Sequence, residues 1–171
     1  FVNFLYLNIQ SGYDTEYIGH AGELRVLSQE ISKSASEAAT GTPAAFGLLL
    51  EARNDFQRRW DYLTLGRSET GLPAAPASLG DQVAQVQSNW DRVRTNADEI
   101  LASQATVLSL NEVALTLSDT IPQLQVEYEE VVDLLIANQA SADQVAVAQR
   151  QSLLGERILN SVNRVLAGEE D

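Results

Sequence analysis

The chain has 171 residues with no Cys and no Met; it is 44% apolar, 20% charged and 6% aromatic, and 11 basic against 24 acidic residues give a formal charge of −13. That length accommodates one globular unit, or one unit plus part of a second, and the apolar fraction is enough for a core. So acidic a chain repels phosphate, which argues against nucleic acid as a partner. Without Cys there is no disulfide, thiolate nucleophile or thiolate metal site, and the lone His20 is the one imidazole open to a triad.

The opening run Phe1-Val2-Asn3-Phe4-Leu5-Tyr6-Leu7 reads as the end of a membrane helix. Residues 1–11 are therefore expected to be a juxtamembrane stub of a fragment cut from a longer chain. Between Gly12 and Ala39 the apolar spacing alternates threes and fours through Tyr17, His20, Leu24, Leu27, Ile31 and Ala38, which predicts a first amphipathic helix. Gly41 suits its left-handed end, Thr42 the cap of the next helix, and Pro43 that helix's first turn. The second helix, residues 43–65, carries Phe46, Leu49, Phe56, Trp60 and Leu63, with Arg53 on the same stripe.

Residues 66–78 form a Gly/Pro-rich segment expected to be a loosely held loop. The third helix, from Leu79 to about Ala102, shows Leu79, Val83, Val86, Trp90, Val93, Ala97 and Ile100. Ser78 with Asp81 and Ser109 with Glu112 have capping-box spacing, which puts the next turn at residues 103–109. The fourth helix carries Leu110, Ala114, Leu117, Ile121, Leu124, Tyr128, Val131 and Leu135, with a kink expected at Pro122. After a break near residues 138–141, capped by Ser141 and Gln144, a fifth run shows Val147, Leu154, Ile158 and Val165.

A period of 3.5 held over these segments predicts an all-α protein. The expected form is an antiparallel up-down-up-down four-helix bundle with a fifth C-terminal helix out of phase with the fourth. Trp60, Trp90, Leu24, Leu27 and Ile31 are the expected core anchors. Residues 111–171 hold three basic against eleven acidic residues, a solvated acidic face. Adjacent carboxylates such as Glu127, Glu129, Glu130 and Asp133 point apart on a helix, so no metal site is expected there. No nucleophile and base pair up, His20 reads as a packed core residue, and neither catalysis nor a cofactor is expected.

The stretch Ala21-Gly22-Glu23-Leu24-Arg25-Val26-Leu27-Ser28-Gln29-Glu30-Ile31 resembles the Ala-Gly-x-x-Arg-Met-Leu-Ser-Gln-Arg-Ile signature of PilJ-type sensor modules. The resemblance extends through Trp60 and Trp90 to the acidic fourth helix. It implies the periplasmic four-helix bundle of a methyl-accepting chemoreceptor of the inner membrane, linked to type IV pili and twitching motility. It also implies a homodimer, a cytoplasmic chemotaxis kinase and adaptor reached through the rest of the receptor, and pilin or another protein as the sensed partner. The fifth run repeats the signature as Ala148-Gln149-Arg150-Gln151-Ser152-Leu153-Leu154-Gly155-Glu156-Arg157-Ile158, identical to the first copy at Ala148, Leu154 and Ile158. Residues 12–139 are accordingly read as one module and residues 140–171 as the first helix of a second.

Nitrate and nitrite sensor kinases carry a related box, and resemblance to them implies that Arg25 binds a small anion across a dimer axis. Ala21, Gly22, Ser28 and Gln29 would then be the neighbouring ligand-binding residues. Ile18, Ala21, Arg25, Ser28, Ser32 and Ala35 form a second stripe that would let two helices approach closely. Glu30 stands where the family has Arg, Val26 where it has Met, and Ser152 where the second copy would need its Arg. These departures favour an Arg25 that snorkels past the core or pairs with Glu23 or Glu30 on its own helix. Three functions are thereby expected to compete: a protein-sensing module, an oxyanion receptor at Arg25, and a ligand-free spacer bundle.

Overall fold

In the computed structural model the backbone is described for residues 2–166 and the side chains for residues 13–164; Phe1 and the remaining side chains of the expected membrane stub lie outside the described residues. The chain is all-α, with α1 Val2–Ala39, α2 Pro43–Leu65, a single 3-10 turn Ala77–Leu79, α3 Gly80–Ala102, α4 Gln104–Ala137 and α5 Ala142–Leu166. These fall into two compact units, residues 1–104 and residues 105–171. Among the described residues no single helix is long and apolar enough to cross a membrane.

In the first unit the turn from α1 to α2 follows from three residues. Gly41 takes φ 87°, its N–H donates to the Ala38 carbonyl at 2.9 Å and the Thr42 N–H to the Glu37 carbonyl at 3.0 Å, a Schellman closure. Thr42 stands at the N-cap of α2 without a side-chain capping bond, and Pro43 occupies the first turn.

The segment 66–78 is not the loose loop its composition predicts. Leu72 is buried, the Arg67 N–H donates to the Leu72 carbonyl at 2.8 Å, and the Ala75 N–H donates back to the Leu63 carbonyl at 2.8 Å. The Tyr17 hydroxyl of α1 donates to the Pro73 carbonyl at 2.7 Å. The segment is a strap tied to both α1 and α2. Gly66 makes its first bend at φ +86°, and a Cβ there would stand 2.6 Å from the Leu72 carbonyl oxygen. The Ser78–Asp81 box does not form either. The chain enters α3 through the 3-10 turn, with the Leu79 N–H on the Pro76 carbonyl at 2.9 Å and Leu79 at the N-cap.

The expected core anchors Leu24, Leu27, Ile31, Trp60 and Trp90 are all buried, in one cluster with Leu49, Ala52, Phe56 and Ala97. Phe56 stacks on Trp90 with ring centroids 4.0 Å apart. The indole N–H of Trp90 donates to Gln57 Oε1 at 2.7 Å, and that of Trp60 donates to Gln87 Oε1. Each glutamine amide nitrogen is in turn held by an aspartate one turn on, Gln57 by Asp61 at 2.8 Å and Gln87 by Asp91 at 3.0 Å. The sequence Gln-x-x-Trp-Asp therefore occurs once on α2 and once on α3, and the two copies bond to each other reciprocally. That crossing makes α2 and α3 antiparallel. Arg53, on the apolar stripe of α2, reaches Asp98 of α3 at 2.9 Å.

Ser103 alone separates α3 from α4, and its N–H donates to the Glu99 carbonyl at 3.1 Å. Ser109 lies inside α4, so the Ser109–Glu112 box has no helix start to cap. In the second unit, α4 runs through Pro122 and closes on Gln139, whose φ is 55°. The Ala140 N–H then donates to the Leu135 carbonyl at 2.9 Å. The Ser141–Gln144 capping box forms as expected, with the Ser141 N–H on Gln144 Oε1 at 3.2 Å and the Gln144 N–H on Ser141 Oγ at 3.4 Å. Ile121 and Ala148 are buried, and a Cβ on Gly155 would meet Ile121 Cγ2 at 3.5 Å. The face that α5 turns to α4 is thus the small-residue line through Ala148, Ser152 and Gly155. The expected stripe Val147, Leu154 and Ile158 is exposed.

Five substitutions test this architecture. Trp60→Ala and Trp90→Ala should each cost about 3–5 kcal/mol in urea melts, and losses under about 1 kcal/mol would place the rings outside the core. Gly66→Ala should cost about 1–3 kcal/mol because of its positive φ. Gly80→Ala, at φ −53° in open space, should be neutral or stabilising by up to about 1 kcal/mol. Gln139→Gly should raise the melting temperature, relieving about 0.5–1 kcal/mol of left-handed strain.

Candidate functional site

The residues singled out on α1 all lie on one free face. Ala21, Gly22, Arg25, Ser28 and Gln29 are exposed, as is Ser32, and Ile18 is 73% exposed. Nothing stands within 4 Å of where a Cβ on Gly22 would be. Ser28 Oγ donates to the Arg25 carbonyl at 2.8 Å, an ordinary back-bond within the helix.

Arg25 does not form the pair expected with Glu23 or Glu30. Glu23 is held by Arg59 of α2. Glu30 is five residues beyond Arg25, about 140° round the helix, and lines the α1–α2 side with Leu27, Lys33 and Leu48. The Arg25 guanidinium is left without a carboxylate on its own helix. Arg58 and Arg59 of α2 are both engaged, with Asp55 and Glu23 respectively.

Beside this face runs a groove of about 350 Å³ between α1 and α3. Ser28, Ser32 and Ala35 form its α1 wall, Ile31, Phe56 and Trp90 its floor, and Val86, Val93 and Ile100 its α3 wall. Val86 and Val93 were expected in the core; they are 41% and 42% exposed because nothing in the first unit covers them. Asn89 and Asn96 supply polar edges and no charged side chain lines the groove. Such a slot suits an apolar ridge better than a free anion.

At the other end of α1, His20 is buried as expected, with its ring 5.4 Å from that of Tyr62. Its flanking carboxylates are Glu23 at 3.7 Å and Glu16 at 3.6 Å; Glu16, one turn before His20, was overlooked in the sequence. Burial, then the charges of Asp14 and Glu16, push the Tyr17 hydroxyl above its ordinary pKa and keep it a donor to the strap. Among the described residues no three His, Cys, Asp or Glu side chains gather as metal ligands do.

The two copies of the signature present opposite faces. In the first copy Leu24, Leu27 and Ile31 are buried and Ala21, Arg25 and Ser28 exposed; in the second the equivalents Gln151, Leu154 and Ile158 are exposed, while Ala148 is buried and Ser152 and Gly155 half-buried. The face that carries Arg25 in α1 is, in α5, the face on which another helix packs.

A profile of the N-terminal part of type IV pili methyl-accepting chemotaxis transducers, PilJ, matches residues 6–116. The chain belongs to this PilJ family. It is 64% identical to Protein PilJ of Pseudomonas aeruginosa over all 171 residues, covering 100% of this chain and 25% of that protein. Identity to the putative methyl-accepting chemotaxis protein AlkN of Alcanivorax borkumensis is 43% over 166 residues, 97% of this chain and 23% of the relative. The chain thus spans about a quarter of the length of these relatives. The PilJ family is one of transducers rather than enzymes.

Proposed function

We propose that the chain is a periplasmic sensory module of an inner-membrane, methyl-accepting chemoreceptor that controls type IV pilus function and twitching motility. It binds a protein, pilin being the candidate, and signals without catalysis. The observation that carries this reading is the charge-free groove that the first unit forms between α1 and α3, floored by the stacked Phe56 and Trp90 rings. An occupant of that groove would shift α1 and α3 relative to each other by the ångström or two that packed helices permit. The intact receptor, as a homodimer, would pass the shift through the membrane to a cytoplasmic chemotaxis kinase and its adaptor.

Residues 140–171 open, in this proposal, a second module, and the exposed Leu154 and Ile158 support that reading. An oxyanion receptor at Arg25 is the second reading, favoured by the absence of any carboxylate on that guanidinium. A ligand-free spacer is the third.

Calorimetric titration of the chain with soluble pilin and with an oxyanion panel separates these readings. Pilin should bind the wild type and fail to bind Val93→Asp, which puts a charge on the groove wall but leaves Arg25 intact. Nitrate should give no saturable stabilisation beyond matched chloride. If it does, approaching about 2.7 kcal/mol at a hundredfold excess over Kd, and Arg25→Ala abolishes the effect, the module is an anion receptor. Binding of neither ligand would leave the spacer.

A further inference from the structure

The two carboxylates that flank His20 are each already engaged by another group. Glu16 Oε1 is 2.8 Å from Thr70 Oγ1, 3.9 Å from an Arg67 guanidinium nitrogen and 3.6 Å from His20 Nε2. Glu23 Oε2 holds Arg59 and stands 3.7 Å from His20 Nδ1. Both ring nitrogens are buried and neither has a hydrogen-bond partner. A neutral imidazole has one N–H and one lone pair, so whichever tautomer forms, a lone pair faces a carboxylate. An imidazolium has two donors, one for each carboxylate.

We propose that His20 is a proton-operated latch that, on taking a proton, closes on Glu16 and Glu23 and draws Glu16 off the strap. The step moves one proton from solvent to the ring and makes or breaks no other covalent bond. The strap gives up Thr70 and Arg67 as side-chain ties to α1 and is then held by the bonds of Tyr17 with Pro73, Ala75 with Leu63 and Arg67 N–H with Leu72, which open more readily for the loss. The charged and titratable groups around the ring are Glu16 and Glu23 of α1, Arg59 and Tyr62 of α2, and Arg67 of the strap, itself paired with Glu69 at 3.0 Å. With the ring neutral, the carboxylates of Glu16, Glu23 and Glu69 outnumber the guanidiniums of Arg59 and Arg67 by one, and a proton on the ring offsets that excess. Arg67, 3.9 Å from Glu16 and already bonded to Glu69 at 3.0 Å, is the partner that Glu16 gives up. Imidazoles change charge between about pH 5 and 8, so the strap would answer acidification of the surroundings. The inference depends on the first unit alone and stands whichever ligand the groove takes.

The test pairs NMR titration of the His20 ring in the full chain with hydrogen exchange at the Arg67 and Ala75 amides, corrected for the intrinsic pH dependence of exchange. Protection of the Arg67 amide should fall about three- to tenfold, the equilibrium worth of one hydrogen bond, with the same midpoint as the ring. His20→Gln should abolish the step. Should that variant fold poorly, Glu16→Gln keeps the ring and its packing; there the ring still titrates and the strap no longer responds. Strap protection that ignores the ring's titration, a ring that does not titrate between about pH 5 and 8, or an undiminished step in Glu16→Gln would each overturn the latch.

Discussion

The first unit is organised by the reciprocal bonding of Trp60 to Gln87 and Trp90 to Gln57. A buried indole N–H without a partner costs about 1–3 kcal/mol, and each tryptophan meets that demand with a glutamine from the facing helix. Because the two bonds cross, sliding α3 along α2 by even one residue breaks both, so register and direction are set together. Asp61 and Asp91 hold the glutamine amides in the orientation that presents an oxygen to each indole. Phe56 fills the space under Trp90, and Arg53 adds a charged tie to Asp98 farther along.

With α2 and α3 held this way, α1 has room to respond on the side that faces α3. It is tied to α2 by the burial of Leu24, Leu27 and Ile31 against Leu49, Ala52 and Phe56 and by the bond of Glu23 to Arg59, and to the strap through Glu16 and Tyr17. Toward α3 it offers only Ser28, Ser32 and Ala35 along the groove. A helix bound tightly on one side and loosely on the other can shift as a body when something enters the loose side. The groove and the His20 cluster would therefore act on the same helix from two places, one through packing and one through charge.

The two signature copies show that a sequence motif does not by itself choose which face of a helix is buried. Leu24, Leu27 and Ile31 are core in α1, and their counterparts Gln151, Leu154 and Ile158 are exposed in α5. The difference lies in the neighbours. The first unit brings two further helices against the large apolar side of α1, whereas α5 meets α4 across its small residues, where Gly155 lets Ile121 approach.

Local and periodic properties were legible in the sequence, because they depend on residues a turn or two apart. The helical class, the Gly41–Pro43 turn, the Ser141–Gln144 cap and the five core anchors follow from spacing and backbone chemistry. Tertiary structure decided whatever depends on residues far apart in the chain. It turned a Gly/Pro-rich segment into a strap, through Tyr17 and the buried Leu72. Arg25 lost its expected partner because Arg59 reached Glu23 first, and Val86 and Val93 were left as a groove wall. The Gln-x-x-Trp-Asp repeat was visible as letters, yet its meaning required two helices thirty residues apart in sequence to lie side by side. A hydrogen bond between helices carries no periodic signature, and only the packed fold shows which donors meet which acceptors.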